Sequence, residues 1–247
     1  MMNNKLNRQS YYAVSQNLLY SLIVIFPMLF IYELLGFINN FESTIQIRNG
    51  ADAMIRQAFL IFGPSSELFY GLTLFLIFIS VCYKHRKTLL DNQVNIRYLL
   101  MMIAESFLWC SGLLITMKGF SLSFLANPIT SNLLEQFYLS IGAGIWEELV
   151  FRFGLITIIA YIINLIFRYG RVMSLCFSLI ISGILFSLFH YIGVYGDLFT
   201  WQTFILRTFA GIFLGAVFLL RGLGISVYTH IFYDMVLVSI PVIGLSS

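Results

Sequence analysis

The stretch Leu133–Phe167, LLEQFYLSIGAGIWEELVFRFGLITIIAYIINLIF, decides the fold class of this chain. It is strongly apolar, and it is longer than the about 20 residues that a helix needs to cross the hydrocarbon core of a bilayer. Three charged side chains nevertheless lie near its middle, those of Glu147, Glu148 and Arg152. Because a charged group at the bilayer centre costs roughly 2.5–3.5 kcal/mol on insertion scales, this cluster indicates a functional site within a membrane-spanning helix.

The rest of the chain has the same apolar character. Of its 247 residues, 60% are hydrophobic and 10% are charged, whereas a soluble domain has about 25% charged residues. The mean hydropathy is +0.90. We therefore predict an all-α, multi-pass transmembrane bundle with a buried polar cavity. The net charge of +3 is small and dispersed, which excludes the basic patch expected of a nucleic-acid-binding protein.

Apolar runs of spanning length recur along the whole sequence. The run Leu133–Phe167 is either one tilted, protruding helix or two pieces that break near Gly154, because it is too long for one straight span. The bundle therefore has seven or eight spans. We place them at residues 17–37, 67–83, 97–117, 133–167, 172–191, 200–220 and 223–243.

The most polar segment lies between the first two spans, at residues 38–66. Asp52 and Arg56 are four residues apart there, and the helix breakers Gly63 and Pro64 come after them. This pattern favours an amphipathic interfacial helix over residues 51–62. The segment shows no catalytic pattern.

The basic residues predict the orientation of the chain in the membrane. Residues 84–87, with Arg97, form the densest basic loop, which the positive-inside rule places in the cytoplasm together with the N-terminus. With seven spans, His190 then lies near the outer end of its span and His230 nearer the inner end of its own. The side from which the site opens stays undetermined.

Two further motifs place ionisable groups in apolar helices, FSLFH at 186–190 and HIFYD at 230–234. Residues four apart on a helix share a face. Glu148 is therefore predicted to pair with Arg152, and Asp234 lies on the same face as His230, where its carboxylate can fix the tautomer of the ring or ligate a metal beside it. Adjacent residues point about 100° apart.

Glu147 projects away from the predicted pair of Glu148 and Arg152. A carboxylate in a low-dielectric cavity has a raised proton affinity, which suits a general base or acid near neutral pH. Glu147 is therefore our candidate base, and His190 joins it from a third helix. Isolated charges elsewhere, at Glu33, Glu105 and Arg207, are predicted to be structural, and His85 in the basic loop to be solvated.

The ordered motifs EExxxR, FxxxH and HxxxD in apolar helices resemble the CPBP family of intramembrane proteases, which includes CAAX prenyl endopeptidases and bacteriocin-processing or self-immunity proteins. The resemblance implies residues 1–132 as N-terminal spans, with the polar loop at 38–66, and residues 133–247 as the catalytic core. It also implies a prokaryotic cell membrane as the location, and a membrane-associated peptide, such as a CAAX-like tail or a leader segment, as the substrate.

The same resemblance implies a role for each motif residue. Glu147 would activate a water for attack on a peptide carbonyl, and His190 would bind or polarise that water. His230 with Asp234 would stabilise the oxyanion or pass a proton to the leaving amine. Glu148 and Arg152 would orient the site.

Metal dependence is left open by the sequence. We favour a glutamate mechanism that requires no cofactor, because the HExxH pattern of many zinc peptidases is absent. The alternative is zinc held by two nitrogen and two oxygen ligands, from Glu147, His190, His230 and Asp234.

Two other classes of protein stay open as alternatives. A proton-coupled transporter also keeps acids and histidines inside the membrane, although inverted repeats are not evident here. A non-catalytic immunity or scaffold homologue would keep the fold without turnover. The sequence does not identify the substrate, whether it is prenylated, or the oligomeric state.

Overall fold

The computed structural model describes residues 10–39, 47–90, 94–117, 133–193 and 196–244, and its regular elements in these ranges are all helical. The helices are α1 Tyr11–Ser15, α2 Leu18–Asn39, α3 Gly50–Ala58, a 3-10 segment Phe59–Ser65, α4 Ser66–Lys84, α5 Arg86–Leu90, α6 Ile96–Met117, α7 Leu133–Gly142, a π-helical segment Ala143–Ile156, α8 Thr157–Phe167, α9 Gly170–Phe189, α10 Trp201–Arg221 and α11 Leu223–Gly244.

The predicted multi-pass helical bundle is confirmed. Within the described ranges, six helical runs are long and apolar enough to cross a membrane, and α11 adds a seventh apolar helix. These seven correspond to the seven predicted spans. Large apolar side chains such as Phe75, Leu108 and Ile166 are more than half exposed on the outer surface, as expected where lipid takes the place of water.

The long helix that carries the two glutamates is continuous. α7 passes directly into the π-helical segment and then into α8, without a break at Gly154. Of the two alternatives for this stretch, the single long helix is therefore the one observed. A π-helix has i→i+5 hydrogen bonds and is rare, and such turns occur frequently at functional sites.

Helix α11 lies at the centre of the bundle, packed against α2, α6, α7, α10 and the π-helical segment. Its residues Ile225, Val227 and Ile231 are fully buried. The approach to the π-helical segment depends on Gly144, where a Cβ atom would lie 2.3 Å from Cγ1 of Ile231 and 2.9 Å from its backbone nitrogen. The absent side chain thus lets His230, the neighbour of Ile231, approach the glutamates.

Helix α3 and the 3-10 segment after it cover the predicted amphipathic helix at residues 51–62. The acidic residue of this helix, Asp52, is buried, however. Asp52 is fully buried, because it accepts hydrogen bonds from Tyr32 at 2.9 Å, from Tyr70 at 2.8 Å and from Nε of Arg56 at 2.9 Å. A helix lying only in the interface would have left this carboxylate in water. α3 instead packs against the π-helical segment.

The isolated charges predicted to be structural all have ionic partners. Glu33 pairs with Arg48 and Arg56, each at 3.0 Å, and Arg207 pairs with Asp197. Their partners lie on segments that sequence spacing does not connect.

Glu105, on α6, binds its own group of partners, which includes Arg221 at the end of α10. Arg221 contacts both of its oxygens, at 2.5 and 2.8 Å, and Trp109 donates to it at 3.0 Å. Tyr11 donates to it at 2.6 Å. Burial and this hydrogen bond to a carboxylate raise the pKa of Tyr11 above its ordinary value, so the phenol keeps its proton. The cluster fastens α1 and α6 to the end of α10.

Candidate active site

Glu148 is the most enclosed carboxylate of the predicted site. It is fully buried, and Oε1 lies 2.8 Å from Nδ1 of His230 while Oε2 accepts a 2.5 Å hydrogen bond from Ser226. A carboxylate only accepts, so Nδ1 of His230 carries the hydrogen. Nε2 lies on the other side of the ring. Glu148 therefore orients the imidazole of His230 and keeps a hydrogen on Nδ1.

Arg152 compensates the charge of Glu148, as predicted from their spacing. Nη1 lies 3.1 Å from Oε1 of Glu148, an ion-pair contact whose angle is not that of a hydrogen bond. The guanidinium carbon lies 4.3 Å from the centre of the Phe186 ring, a cation–π contact. Arg152 is 1% exposed. It thus links the π-helical segment to α9 as well as to Glu148.

Glu147 faces the opposite nitrogen of the same imidazole. Its Oε2 lies 3.9 Å from Nε2 of His230, and Asp234 lies 3.4 Å from that nitrogen. Glu147 is 6% exposed, whereas a quarter of the Asp234 side chain is exposed. Asp234 therefore lies on the accessible side of the cluster, and Glu147 lies further inside it.

His190 joins this cluster through an aromatic neighbour. The Phe186 ring has its centre 4.9 Å from that of His190 and 6.0 Å from that of His230, edge-on to both. Nδ1 of His190 donates to the backbone carbonyl of Phe186 at 2.9 Å, so its Nε2 is left as the acceptor in the neutral ring.

The predicted span at 172–191 corresponds to α9 but extends two residues beyond its end. α9 ends at Phe189, and His190 is the residue that caps it. Its backbone nitrogen donates to the carbonyl of Ser187, and its own carbonyl accepts from Asp197 in the next loop. These turn hydrogen bonds end the helix, so the His190 side chain is at a helix terminus and half-buried.

The sequence did not reveal one contact of the candidate base. Nδ2 of Asn49, the residue that caps α3, donates to Oε1 of Glu147 at 3.0 Å. An Asn directly before a helix is a common capping residue, and this was the one available signal. Nothing in the spacing of residues 49 and 147 indicates that they meet.

Among the described residues, no group of three or more His, Cys, Asp or Glu side chains is arranged to hold a metal ion. Zinc binds nitrogen and oxygen ligands at about 2.0–2.2 Å around one centre. One of the four predicted ligands, His190, packs edge-on against Phe186, whose ring also lies against His230.

The arrangement has the components of a hydrolytic site. Three carboxylates, those of Glu147, Glu148 and Asp234, surround one imidazole, with a single guanidinium nearby. Such a cluster can accept a proton at one position and release it at another. It lies within a membrane bundle, on two helical elements, the π-helical segment and α11.

Comparison with protein families identifies the segment that carries this cluster. Residues 128–236 match the family described as Type II CAAX prenyl endopeptidase Rce1-like. This segment is similar to that family. It contains the six predicted site residues, and the predicted resemblance to the CAAX protease family is confirmed. Asn49 lies outside the match. Searches of curated proteins and of solved structures gave no match.

Proposed function

We propose that this chain is an intramembrane endopeptidase of the CAAX type, in which Glu147 activates water for attack on a peptide carbonyl of a membrane-associated substrate. The observation that carries the proposal is the contact of one imidazole with two adjacent glutamates. Glu148 binds Nδ1 of His230, and Glu147 faces Nε2. The family match of the same segment supports it.

The first step is deprotonation of water by Glu147. Oε1 is already bound by Asn49, so Oε2 is the oxygen left to accept the proton. A water bound there also reaches Nε2 of His230, which lies 3.9 Å from Oε2. The hydroxide then adds to the carbonyl carbon of the substrate. The proton that was removed from water stays on Glu147.

The second step is collapse of the tetrahedral intermediate. Its oxyanion requires donors, and His230 supplies one from Nε2, because its ring carries a hydrogen on both nitrogens throughout the reaction. Glu148 and Asp234 stabilise this imidazolium on either side. Breaking the C–N bond requires a proton on the leaving nitrogen, and Glu147 returns the proton that it took from water. His190 offers Nε2 to bind the water or the substrate.

The test is cleavage of a farnesylated CAAX peptide with a fluorophore and a quencher on either side of the scissile bond. Purified protein in liposomes is compared with E147Q and with E135Q, which removes the same charge from the same long helix. We expect turnover by wild type and E135Q and none by E147Q. Undiminished turnover by E147Q would remove Glu147 as the base.

The substrate class has its own control. An unprenylated peptide of the same sequence measures whether the lipid group is needed, and we expect slower cleavage of this peptide. Wild-type protein that cleaves neither peptide would contradict the CAAX-type assignment. Comparative proteomics of cells with wild-type or E147Q protein would then show whether a membrane-bound precursor with a leader segment accumulates.

We also propose that the N-terminus is cytoplasmic and that the membrane is that of a prokaryotic cell. Successive helices that cross the membrane alternate in direction. Residues 84–90, 94–97 and 168–171, with Arg221, then fall at the same end of the bundle. They carry most of the basic loop residues. Positive loops favour the cytoplasmic side. Cysteine labelling of residue 168 from outside intact cells, with no modification expected, tests the orientation.

A further inference from the structure

We infer that Asn49 is a positioning residue for Glu147, so that the active site requires a segment outside the family-matched core. The inference rests on the proposed function, because it concerns how the candidate base is held. Asn49 lies at the start of α3, in the N-terminal part of the chain, and its side chain is buried against the π-helical segment.

The orientation of the Asn49 amide is fixed by its own helix. Oδ1 accepts a 2.9 Å hydrogen bond from the backbone nitrogen of Ala51, the usual contact of a capping residue. The amide group of Asn has one acceptor end and one donor end. The acceptor is used in the cap, and the donor Nδ2 is the end that faces Glu147, 3.0 Å from Oε1.

The backbone around Asn49 is held as firmly as its side chain. Its nitrogen donates to the hydroxyl of Tyr32 at 3.3 Å, and that hydroxyl donates to Asp52 at 2.9 Å. The Tyr32 ring is fully buried and stacks on Tyr138, with ring centres 4.7 Å apart. Tyr138 is on α7, in the same continuous helix as Glu147. Tyr32, which binds the backbone of Asn49, is thus packed against the same long helix that carries Glu147.

The close approach of Asn49 to that helix depends on Gly142. A Cβ atom at position 142 would lie 2.9 Å from Cβ of Asn49 and 2.4 Å from the Tyr32 ring. Glycine at this position therefore leaves the space into which both side chains fit. This complementarity, together with the capping and the hydrogen bond, makes the contact with Glu147 a built feature of the fold.

The role of the contact is to hold one oxygen of Glu147 and leave the other for water. A neutral donor stabilises the ionised carboxylate and restricts its rotation. Asn49 does not reach the reacting atoms through this contact, since it acts on the oxygen that faces away from His230.

The test separates capping from the contact with Glu147. N49S keeps an oxygen that caps α3 well but lacks an amide that reaches Glu147. N49D keeps the shape and the cap but puts a carboxylate in place of the donor. N95S is the matched control. Oδ1 of Asn95 accepts from the backbone nitrogen of Arg97, and the backbone nitrogen of Asn95 donates to the hydroxyl of Tyr20, which is the same local pattern at the start of another helix.

We expect N49S to lower kcat about tenfold or more, the effect of losing a hydrogen bond to a charged group, with KM for the farnesylated peptide unchanged. N49D should lower kcat further, and N95S should leave both constants as in wild type. A role limited to capping would leave N49S at the wild-type kcat. If E147Q is inactive and N49S has the wild-type kcat, the inference about Asn49 is overturned and the proposed function stands. Activity of E147Q instead overturns the proposed function.

A second measurement does not depend on turnover. Thermal unfolding of N49A, E147A and the double variant in detergent gives the coupling between the two side chains. We expect the stability lost by the double variant to be smaller than the sum of the losses in the two single variants, because the double variant loses the contact only once. Additive losses would show that the side chains do not interact and would overturn the inference.

Discussion

Oε1 of Glu148 lies 2.8 Å from Nδ1 of His230, a hydrogen bond that joins the π-helical segment to α11. Because Glu148 accepts the hydrogen bond from Nδ1, Nε2 of the same ring is directed toward Glu147 and Asp234. The adjacent glutamates therefore make different contacts: Glu148 fixes the ring, and Glu147 is the residue that we propose acts on water. Four experiments test the consequences of this arrangement and of the packing around it.

Replacing Glu148 by Gln should affect both stability and activity. The variant leaves the buried guanidinium of Arg152 without its counter-charge, and breaking a buried ion pair in this way costs about 3–5 kcal/mol. It also weakens the hydrogen bond that orients the ring of His230. We expect a lower Tm and a fall in kcat of at least about 100-fold, which corresponds to about 2.7 kcal/mol in the barrier. Peptide cleavage and thermal unfolding measure the two effects, and E148Q with wild-type kcat would contradict the assigned role.

Adding a methyl group at Gly144 should separate α11 from the glutamates. The new Cβ would collide with both the side chain and the backbone of Ile231, so G144A should unfold at a lower temperature and lose turnover. The matched control is G71A, since a Cβ at Gly71 meets nothing within 4 Å. Alanine there should be neutral or stabilising by up to about 1 kcal/mol. Equal Tm values for the two variants would disprove the close contact.

Glu105 should matter for stability and not for catalysis. E105Q weakens the ion pair with Arg221 and the hydrogen bond from Tyr11, which we expect to cost about 1–3 kcal/mol and to lower the Tm by several degrees. The folded variant should keep the kcat and KM of wild type. A selective fall in kcat, with the Tm unchanged, would instead assign Glu105 to the site.

Chelation tests the zinc alternative directly. We expect protein treated with 1,10-phenanthroline and then passed through a desalting column to keep its cleavage rate, because the described donor atoms do not surround a common centre. The treated protein is compared with an untreated sample carried through the same column. Loss of activity that added zinc restores would show that a metal participates.

The spans were predicted well because hydropathy is a local property. The predicted spans at 97–117 and 133–167 agree with α6 and with the continuous helix Leu133–Phe167. Helix ends were harder to predict. His190 was placed inside a span, but turn hydrogen bonds with a later loop end α9 one residue before it.

The pairing of Glu148 with Arg152 was also predicted, since four-residue spacing puts both on one face of a helix. The division into spans at 1–132 and a core at 133–247 stays a prediction. The contact of Asn49 with Glu147 crosses that boundary.

The sequence alone determined that the chain is a helical membrane protein and that a few ionisable groups lie inside it, because burial in lipid requires apolar side chains over the length of each span. It also determined the contacts within one helix. Only the tertiary structure decided which groups meet between helices: Glu148 with Ser226 and His230, and Glu147 with Asn49. The physical reason is that these contacts depend on how closely the helices pack, which glycines 142 and 144 permit, and no spacing along the chain encodes that distance.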